Sequence, residues 1–323
     1  MCYGYDGEGA LRRSLAERGM SRRSVLRGAA LGTAGVAALG TADVAVAGGR
    51  GPQRHRVPPG RISIQLWTLR SILGPPFGEP LYDETLQTIA DIGYPRVEQA
   101  LGYFGRTAAE LKAFYDDLGI RATSSHDGIS ATPADLETKL DNAETLGQRY
   151  VVVPYLASDS LSEWQTWAEQ MNVEAREAKK RGLRYGYHNH AHEFTTDLGG
   201  GVTPWQVLTT ELDPRFVHLE VDLYWAVTGG LNQSEDVTHE EAIDFAIDVI
   251  EDAPQKVRQY HVKDKKHVEA PDDHADLGTG FIDFAKIFEA HQVEEYIVEN
   301  DTPDVTPIQT AEVGYSYLRS IRF

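Results

Sequence analysis

The chain of 323 residues carries 31 lysines and arginines against 49 aspartates and glutamates, a formal charge of −18. A surface that acidic repels phosphate backbones, which argues against nucleic acid as a partner; it fits a high-salt habitat as well as an ordinary acidic secreted enzyme. The single cysteine, Cys2, excludes a disulfide framework, so stability has to come from a large core.

Residues 1–47 read as an export signal. Ser21-Arg22-Arg23-Ser24-Val25-Leu26-Arg27 precedes an apolar, small-residue stretch from Gly28 to Gly40, and Ala45-Val46-Ala47 offers a cleavage site before Gly48. Basic, apolar and small in that order is a secretory signal with a twin-arginine motif. The apolar stretch is short and rich in Gly and Ala, unlike a membrane span, so no stable membrane insertion is expected after signal removal. The mature protein is then expected outside the cytoplasm: periplasmic, cell-surface or secreted. Met20 stands directly before the motif, which makes residues 1–19 readable as a mis-assigned upstream extension. The leader holds six arginines against four carboxylates, so its removal makes the chain more negative. Residues 48–60 form a Gly/Pro/Arg stretch without apolar periodicity, expected to be a disordered linker.

From residue 61 to 323, short β-rich runs alternate with helical ones. The pattern predicts strands at 62–67, 96–98, 120–125, 150–153, 183–187, 217–221, 259–262 and 296–298. Helices are predicted at 82–92, 107–118, 133–146, 162–181, 204–212, 239–251, 284–291 and 308–318, and a loop runs from 263 through 280. Thr107-Ala108-Ala109-Glu110 opens the second helix as a capping box. Eight strand–helix units predict an α/β fold, a (β/α)8 TIM barrel in one domain over 61–323.

His188, Asp222, His261 and Glu299 end the last four predicted strands. Ligands at the ends of separate strands are what such a barrel uses to gather a divalent metal at its C-terminal mouth. Two imidazoles and two carboxylates suit Mn²⁺, Zn²⁺, Co²⁺ or Fe²⁺ better than Ca²⁺, which prefers oxygen alone. Each has a plainer reading: a hydrogen-bonded core histidine, a helix N-cap at Asp222, a buried salt-bridged Glu299. His190, two residues after His188, shares its face and is placed for substrate or support; His192 reads as a loop residue. Glu220 is expected to point elsewhere than Asp222. Lys263, on the face of His261, is placed to hold a substrate oxyanion, against a surface lysine paired with Asp264. Glu98 and His126 end strands two and three and are expected to reach the mouth for proton transfer or substrate contact. Trp67, Tyr224 and Trp225 are candidates for an apolar wall against a sugar face. The acidic stretch 235–241 reads as a solvated loop and helix start.

Gly186-Tyr187-His188-Asn189-His190-Ala191-His192-Glu193-Phe194, taken with Leu219-Glu220-Val221-Asp222, His261-Val262-Lys263-Asp264 and Ile297-Val298-Glu299, resembles the xylose isomerase-like TIM-barrel superfamily. This is the sugar isomerase/epimerase group with inosose dehydratase-like and endonuclease IV-like branches. Gly278-Thr279-Gly280-Phe281-Ile282-Asp283-Phe284 is similar to its G-x-G-x-I-D-F loop, and the resemblance spans residues 61–323. It implies one divalent metal, Mn²⁺ foremost, on His188, Asp222, His261 and Glu299. Epimerases resembling tagatose epimerase place Glu, Asp, His and Glu there, so His188 replaces a proton-transferring glutamate. Glu299 keeps its half of that pair, leaving Glu98 or Glu193 for the other. A Tyr-His-x-His strand is more like the dehydratase and keto-sugar branches.

The expected function is that of a divalent-metal-dependent sugar isomerase or epimerase. It would abstract a proton beside a carbonyl and pass through a metal-stabilised enediolate, with Glu299, Glu98, His126 and Lys263 as catalytic candidates. Trp67, His190, Glu193, Tyr224 and Trp225 are the candidates for substrate binding. Two alternatives stand beside it: a lyase or dehydratase on a cyclic or 3-keto sugar, and a non-catalytic sugar-binding barrel. The partner is a small sugar or keto-sugar. Export disfavours a phosphorylated one, and no Gly-rich phosphate loop is evident. An endonuclease-like role lacks a basic footprint, and homo-oligomerisation is left open.

Overall fold

The computed structural model describes residues 55–74, 81–267 and 273–323. The expected signal segment, 1–47, lies outside the described residues, as do 48–54 of the expected linker. No helix among the described residues is long and apolar enough to cross a membrane.

Parallel strands β1 (Ile62–Gln65), β2 (Arg96–Gln99), β3 (Arg121–His126), β4 (Tyr150–Val153), β5 (Arg184–His188), β6 (Val217–Asp222), β7 (Val257–Val262) and β10 (Glu295–Val298) close a barrel. Their order around it is β1-β10-β7-β6-β5-β4-β3-β2, so sequence neighbours are spatial neighbours. Between them run α1 (Tyr82–Ile92), α2 (Ala108–Leu118), α3 (Pro133–Leu146), α4 (Leu161–Lys180), α5 (His192–Thr195), α6 (Pro204–Glu211), α7 (Leu223–Leu231), α8 (His239–Glu251), α9 (Phe284–Ala290) and α10 (Pro307–Ser320). The Thr107/Glu110 capping box is present, both halves bonded, at the start of α2.

Strands of four to six residues are buried on both faces, which asks for two kinds of side chain. Outward residues such as Tyr185, Tyr187, Leu219 and Val221 join Trp164 of α4 and Val207 and Leu208 of α6 in an apolar layer. The inward set is polar. Glu98 on β2 reaches His261 on β7, and His126 on β3 reaches Glu220 on β6, contacts that have to cross the barrel interior. Barrels of this kind usually fill that space with branched apolar residues. Here it is given over to charge.

Several expectations need correction. The expected linker is not disordered where it is described. Val57 is buried, and His55 and Phe323 exchange backbone hydrogen bonds of 2.6 and 3.2 Å, tying the segment to the end of the chain. The first strand stops at Gln65, whose side chain accepts from the Trp67 N–H at 3.1 Å and turns 66–69 into a 3-10 helix. His192 opens the short helix α5 instead of lying in a loop. Helix α7 was not predicted, because Leu223–Leu231 is apolar nearly all round and contains Gly229-Gly230, so it shows no amphipathic period. The long loop after β7 contains a two-residue antiparallel hairpin, β8 (Asp264–Lys265) with β9 (His274–Ala275).

Candidate metal centre

Each of the four expected ligands is the last residue of its strand or next to it, and the barrel's closure brings them together. His188, Asp222, His261 and Glu299 each place one donor atom within 4.8 Å of the others. All four are buried. His188 Nδ1 lies 3.1 Å from the Pro154 carbonyl and its Nε2 3.2 Å from Asp222 Oδ2, so the ring is held between the two. His261 Nδ1 is 2.6 Å from Glu299 Oε2 and 3.9 Å from Asp222 Oδ2. Asp222 also fulfils its plainer reading, since its Oδ1 accepts from the Trp225 N–H at 2.9 Å and caps α7. One carboxylate oxygen fixes the helix and the other faces the cluster.

Lys263 is no surface lysine. It is 2 % exposed, and its ammonium lies 2.9 Å from Asp222 Oδ2, 2.7 Å from Glu299 Oε2 and 2.9 Å from Asp301 Oδ2. Burial works against its charge, but Asp222, Asp301 and Glu299 raise its pKa well above the usual lysine value. Burial likewise opposes the ionisation of Asp222 and Glu299, yet Lys263 together with His188 or His261 holds both low, so both carry charge. Two anionic oxygens and two imidazole nitrogens therefore converge where a cation is already drawn in. Metal–ligand bonds of about 2 Å place neighbouring donors about 3–3.5 Å apart, so small shifts would seat a divalent ion on this set. The residues fit the group the sequence implied.

A second layer lies beneath. His261 Nε2 is 2.6 Å from Glu98 Oε2 and 3.0 Å from Glu220 Oε1, while His126 Nε2 is 3.2 and 2.8 Å from the same two atoms. The His126 and His261 rings stack with centroids 5.0 Å apart. Glu220 thus does not point elsewhere: a period of two puts it on the face of Asp222, one layer deeper. Glu98 does not reach the mouth either. It is wholly buried behind His261, with Gln65 Nε2 also donating to it at 2.7 Å.

The expected substrate residues divide. Glu193 is fully buried, with Oε1 accepting from Tyr187 Oη at 2.7 Å and Oε2 from the His190 N–H at 2.9 Å. Both oxygens are taken, so it sets the turn after β5 and is not a substrate contact. Tyr224 is nearly buried too; its hydroxyl donates to Asp273 and its ring stacks on His274 at 4.1 Å. Trp67 is half-buried, with the Arg70 guanidinium 4.7 Å over its ring. His190 and Trp225 lie beside the cluster, next to His188 and Lys263. Their rings are 5.3 Å apart, His190 is 5.0 Å from His188, and Lys263 lies 5.6 Å over Trp225.

Among the described residues, His190 Nδ1 and Trp225 Nε1 are buried with no hydrogen-bond partner, and so is His274 Nδ1, on the hairpin next to Trp225. Burial, His188 and Lys263 push the His190 pKa down to about 2, so this imidazole is neutral and polar. Buried polar atoms demand partners, and three such nitrogens gather in this one place. His274 was missed by sequence reasoning; nothing marks it except its nearness to the Gly278-Thr279-Gly280 turn.

That turn is explained by Asp264. Its carboxylate accepts from the N–H groups of Gly278 and Gly280 at 2.9 Å, Lys265 at 2.8 Å and Ile282 at 3.3 Å. A Cβ on Gly280 would stand 2.2 Å from Asp264 Oδ1 and from the Lys265 carbonyl, so only glycine fits. Asp264 pins the hairpin that carries His274, and it does not pair with Lys263.

Residues 86–299 match the family described as xylose isomerase-like TIM barrel. A sugar phosphate isomerase/epimerase from Parabacteroides distasonis is 21 % identical, with a TM-score of 0.62 over 86 % of this chain and 98 % of its own. A zinc-bound IOLI protein is 13 % identical with a TM-score of 0.56, covering 80 % of this chain and 97 % of its own. The probable 3-DHS dehydratase AsbF from Bacillus anthracis is 11 % identical with a TM-score of 0.54, covering 78 % and 97 %. No curated protein matches the chain.

Proposed function

Because the chain belongs to the xylose isomerase-like TIM-barrel family, we propose that it is a divalent-metal-dependent enzyme that isomerises or epimerises a sugar or keto-sugar. The observation that carries this reading is the convergence of His188, Asp222, His261 and Glu299 within 4.8 Å at the ends of β5, β6, β7 and β10. A divalent ion, Mn²⁺ first with Zn²⁺, Co²⁺ or Fe²⁺ as alternatives, would supply Lewis acidity beside a sugar carbonyl and acidify the neighbouring C–H. Glu299, held ionised by Lys263 and His261, is the group to take that proton. Lys263 steadies negative charge as it develops on oxygen. His190, Trp225 and His274 orient hydroxyls through their unpartnered nitrogens. Glu98 and Glu220 hold the ring of His261 in place from behind. The twin-arginine reading of residues 1–47 puts this chemistry outside the cytoplasm, on a sugar without phosphate.

One observation favours a second reading, a lyase or dehydratase on a cyclic or 3-keto sugar. Both oxygens of Glu193 are taken and Glu98 lies wholly buried behind His261, so neither stands opposite Glu299 as a second proton-transferring carboxylate. An abstracted proton balanced by loss of a β-hydroxyl needs no second carboxylate on the opposite face.

The test is elemental analysis of protein produced from Gly48 onward, beside a His188→Ala/Glu299→Ala variant, followed by product mass on a keto-sugar panel. Near-stoichiometric metal lost in the variant, with a product of unchanged formula, is the expected result. Loss of water from the product would transfer the assignment to the lyase reading. Protein that takes up no metal after soaking would sink both, and tight binding without turnover would leave a sugar-binding barrel.

A further inference from the structure

The opposite end of the barrel holds a cavity of about 290 Å³ where β5, β6 and β7 begin. Lys179, Arg184, Arg215, Lys256 and Arg258 line it, with His218 among them, and among the described residues no carboxylate does. The carboxylates nearby are too few to neutralise it. Arg184 and Arg258 share the single Glu294 with Arg149, and Arg215 is bonded to Asp213. Lys179 reaches the Arg215 carbonyl at 3.5 Å and the Phe216 ring at 4.6 Å. Among the described residues neither Lys179 nor Lys256 has a carboxylate partner.

A chain of charge −18 has every means to neutralise such a cluster and leaves it positive. Crowded like charges cost stability unless an anion joins them. The N-terminal face of this kind of barrel ordinarily serves stability, and unpaired cations there work against it. The interior is shaped to match. His218, 2 % exposed, lies in a slot that Gly186 keeps open, since a Cβ at that position would stand 2.6 Å from the imidazole. Burial pushes the His218 pKa down to about 4, so the floor is neutral and polar while the walls are cationic.

We propose that this cavity binds a phosphate-sized oxyanion, as inorganic phosphate or as the phosphate of a monoester. Guanidinium groups flanked by ammonium groups, as Arg184, Arg215 and Arg258 are by Lys179 and Lys256, are the set that recognises phosphate. The space equals roughly ten waters, more than a bare oxyanion fills. The site is separate from the metal centre: on β6, His218 and Asp222 stand four residues or about 13 Å apart.

The experiment follows phosphate binding by calorimetry and thermal shift on the whole protein at constant ionic strength, with chloride as reference and glucose 6-phosphate as the second arm. Saturable stabilisation by phosphate is expected, weakened about tenfold or more in a Lys179→Ala/Lys256→Ala variant. Both lysines are exposed and far from the metal centre, so metal content and turnover are expected to stay unchanged. Tighter binding of glucose 6-phosphate assigns the cavity to a monoester, and equal binding to free phosphate. Absence of a saturable effect, or equal affinity in the double variant, overturns the proposal. So does binding that is lost only in the His188→Ala/Glu299→Ala variant, because phosphate would then sit at the mouth.

Discussion

The two ends of the same strands carry opposite chemistry. β5 begins at Arg184 and ends at His188, β6 carries His218 near its start and Asp222 at its end, and β7 carries Arg258 near its start and His261 near its end. At the C-terminal mouth the charges are buried, and the ligand carboxylates, imidazoles and Lys263 have partners within about 3 Å. At the N-terminal face Arg184 and Arg258 are partly exposed, Lys179, Arg215 and Lys256 are open to solvent, and cations outnumber carboxylates. Burial explains the contrast. A charge removed from water must be matched at short range, and that requirement fixes geometry as a reacting site needs. Charges left partly in water tolerate an incomplete match, and the repulsion that remains is what an anionic ligand would relieve in the lower cavity.

The largest expected effect tests the matching at the mouth. Lys263→Ala removes the cation shared by Asp222, Glu299 and Asp301, leaving buried like charges. In metal-free protein it should cost about 3–5 kcal/mol of stability, read by urea denaturation. A divalent ion supplies the missing charge, so Mn²⁺ should recover much of that loss. An equal loss with and without Mn²⁺ would show that Lys263 acts by packing alone. Glu98→Gln is the next step down. It keeps the shape behind His261 but removes the charge, and should weaken metal affinity about tenfold, measured by competition with a chelator. Unchanged affinity would detach the lower layer from the centre.

Comparable in size to Glu98→Gln is Gly280→Ala, which forces the hairpin away from Asp264. It should destabilise by about 1–3 kcal/mol and raise KM more than it lowers kcat, because it moves His274 and not the ligands. An unaltered KM would remove His274 from the substrate surface.

Much of the mouth was legible because its ligands end apolar runs, and a strand end in a barrel of this kind points at the site. Depth was not legible. Glu98 and His126 end their strands just as His188 does, but only packing decides that Glu98 faces the back of His261. Glu193 lies in the same motif as His188, and nothing local foretells that Tyr187 and the His190 backbone occupy its oxygens. The period of two did contain the placement of Glu220, since residues two apart share a face. Helix α7 was hidden by being apolar all round, and the hairpin by having strands of two residues. The lower cavity is the least legible feature. Its cations come from positions 179, 184, 215, 256 and 258, which form no run in the sequence and meet only when the barrel closes.

The smallest effect separates the two ends by pH. Glu295, the first residue of β10, is wholly buried, with Oε1 accepting from Thr123 at 2.5 Å and Oε2 3.4 Å from Arg96. Burial pushes its pKa up to about 7 from an ordinary 4.5, against the pull of Arg96. The folded state therefore binds more protons than the unfolded chain between about pH 4.5 and 7. Its contribution to stability is full below 4.5 and is lost as pH rises through 7. Asp222 and Glu299, held low at the other end, behave oppositely: their contribution is present above the ordinary carboxylate range and is lost as pH falls. Glu295→Gln removes only the first of these. It should leave Tm at pH 4.5 nearly unchanged and raise it at pH 8 by roughly 2–4 °C, the shift that about 1 kcal/mol gives in a domain of this size. The acid limb set by the mouth should stay where it is. A Tm difference between variant and parent that does not change from pH 4.5 to 8 would mean that Glu295 stays ionised in the barrel, with Arg96 outweighing its burial.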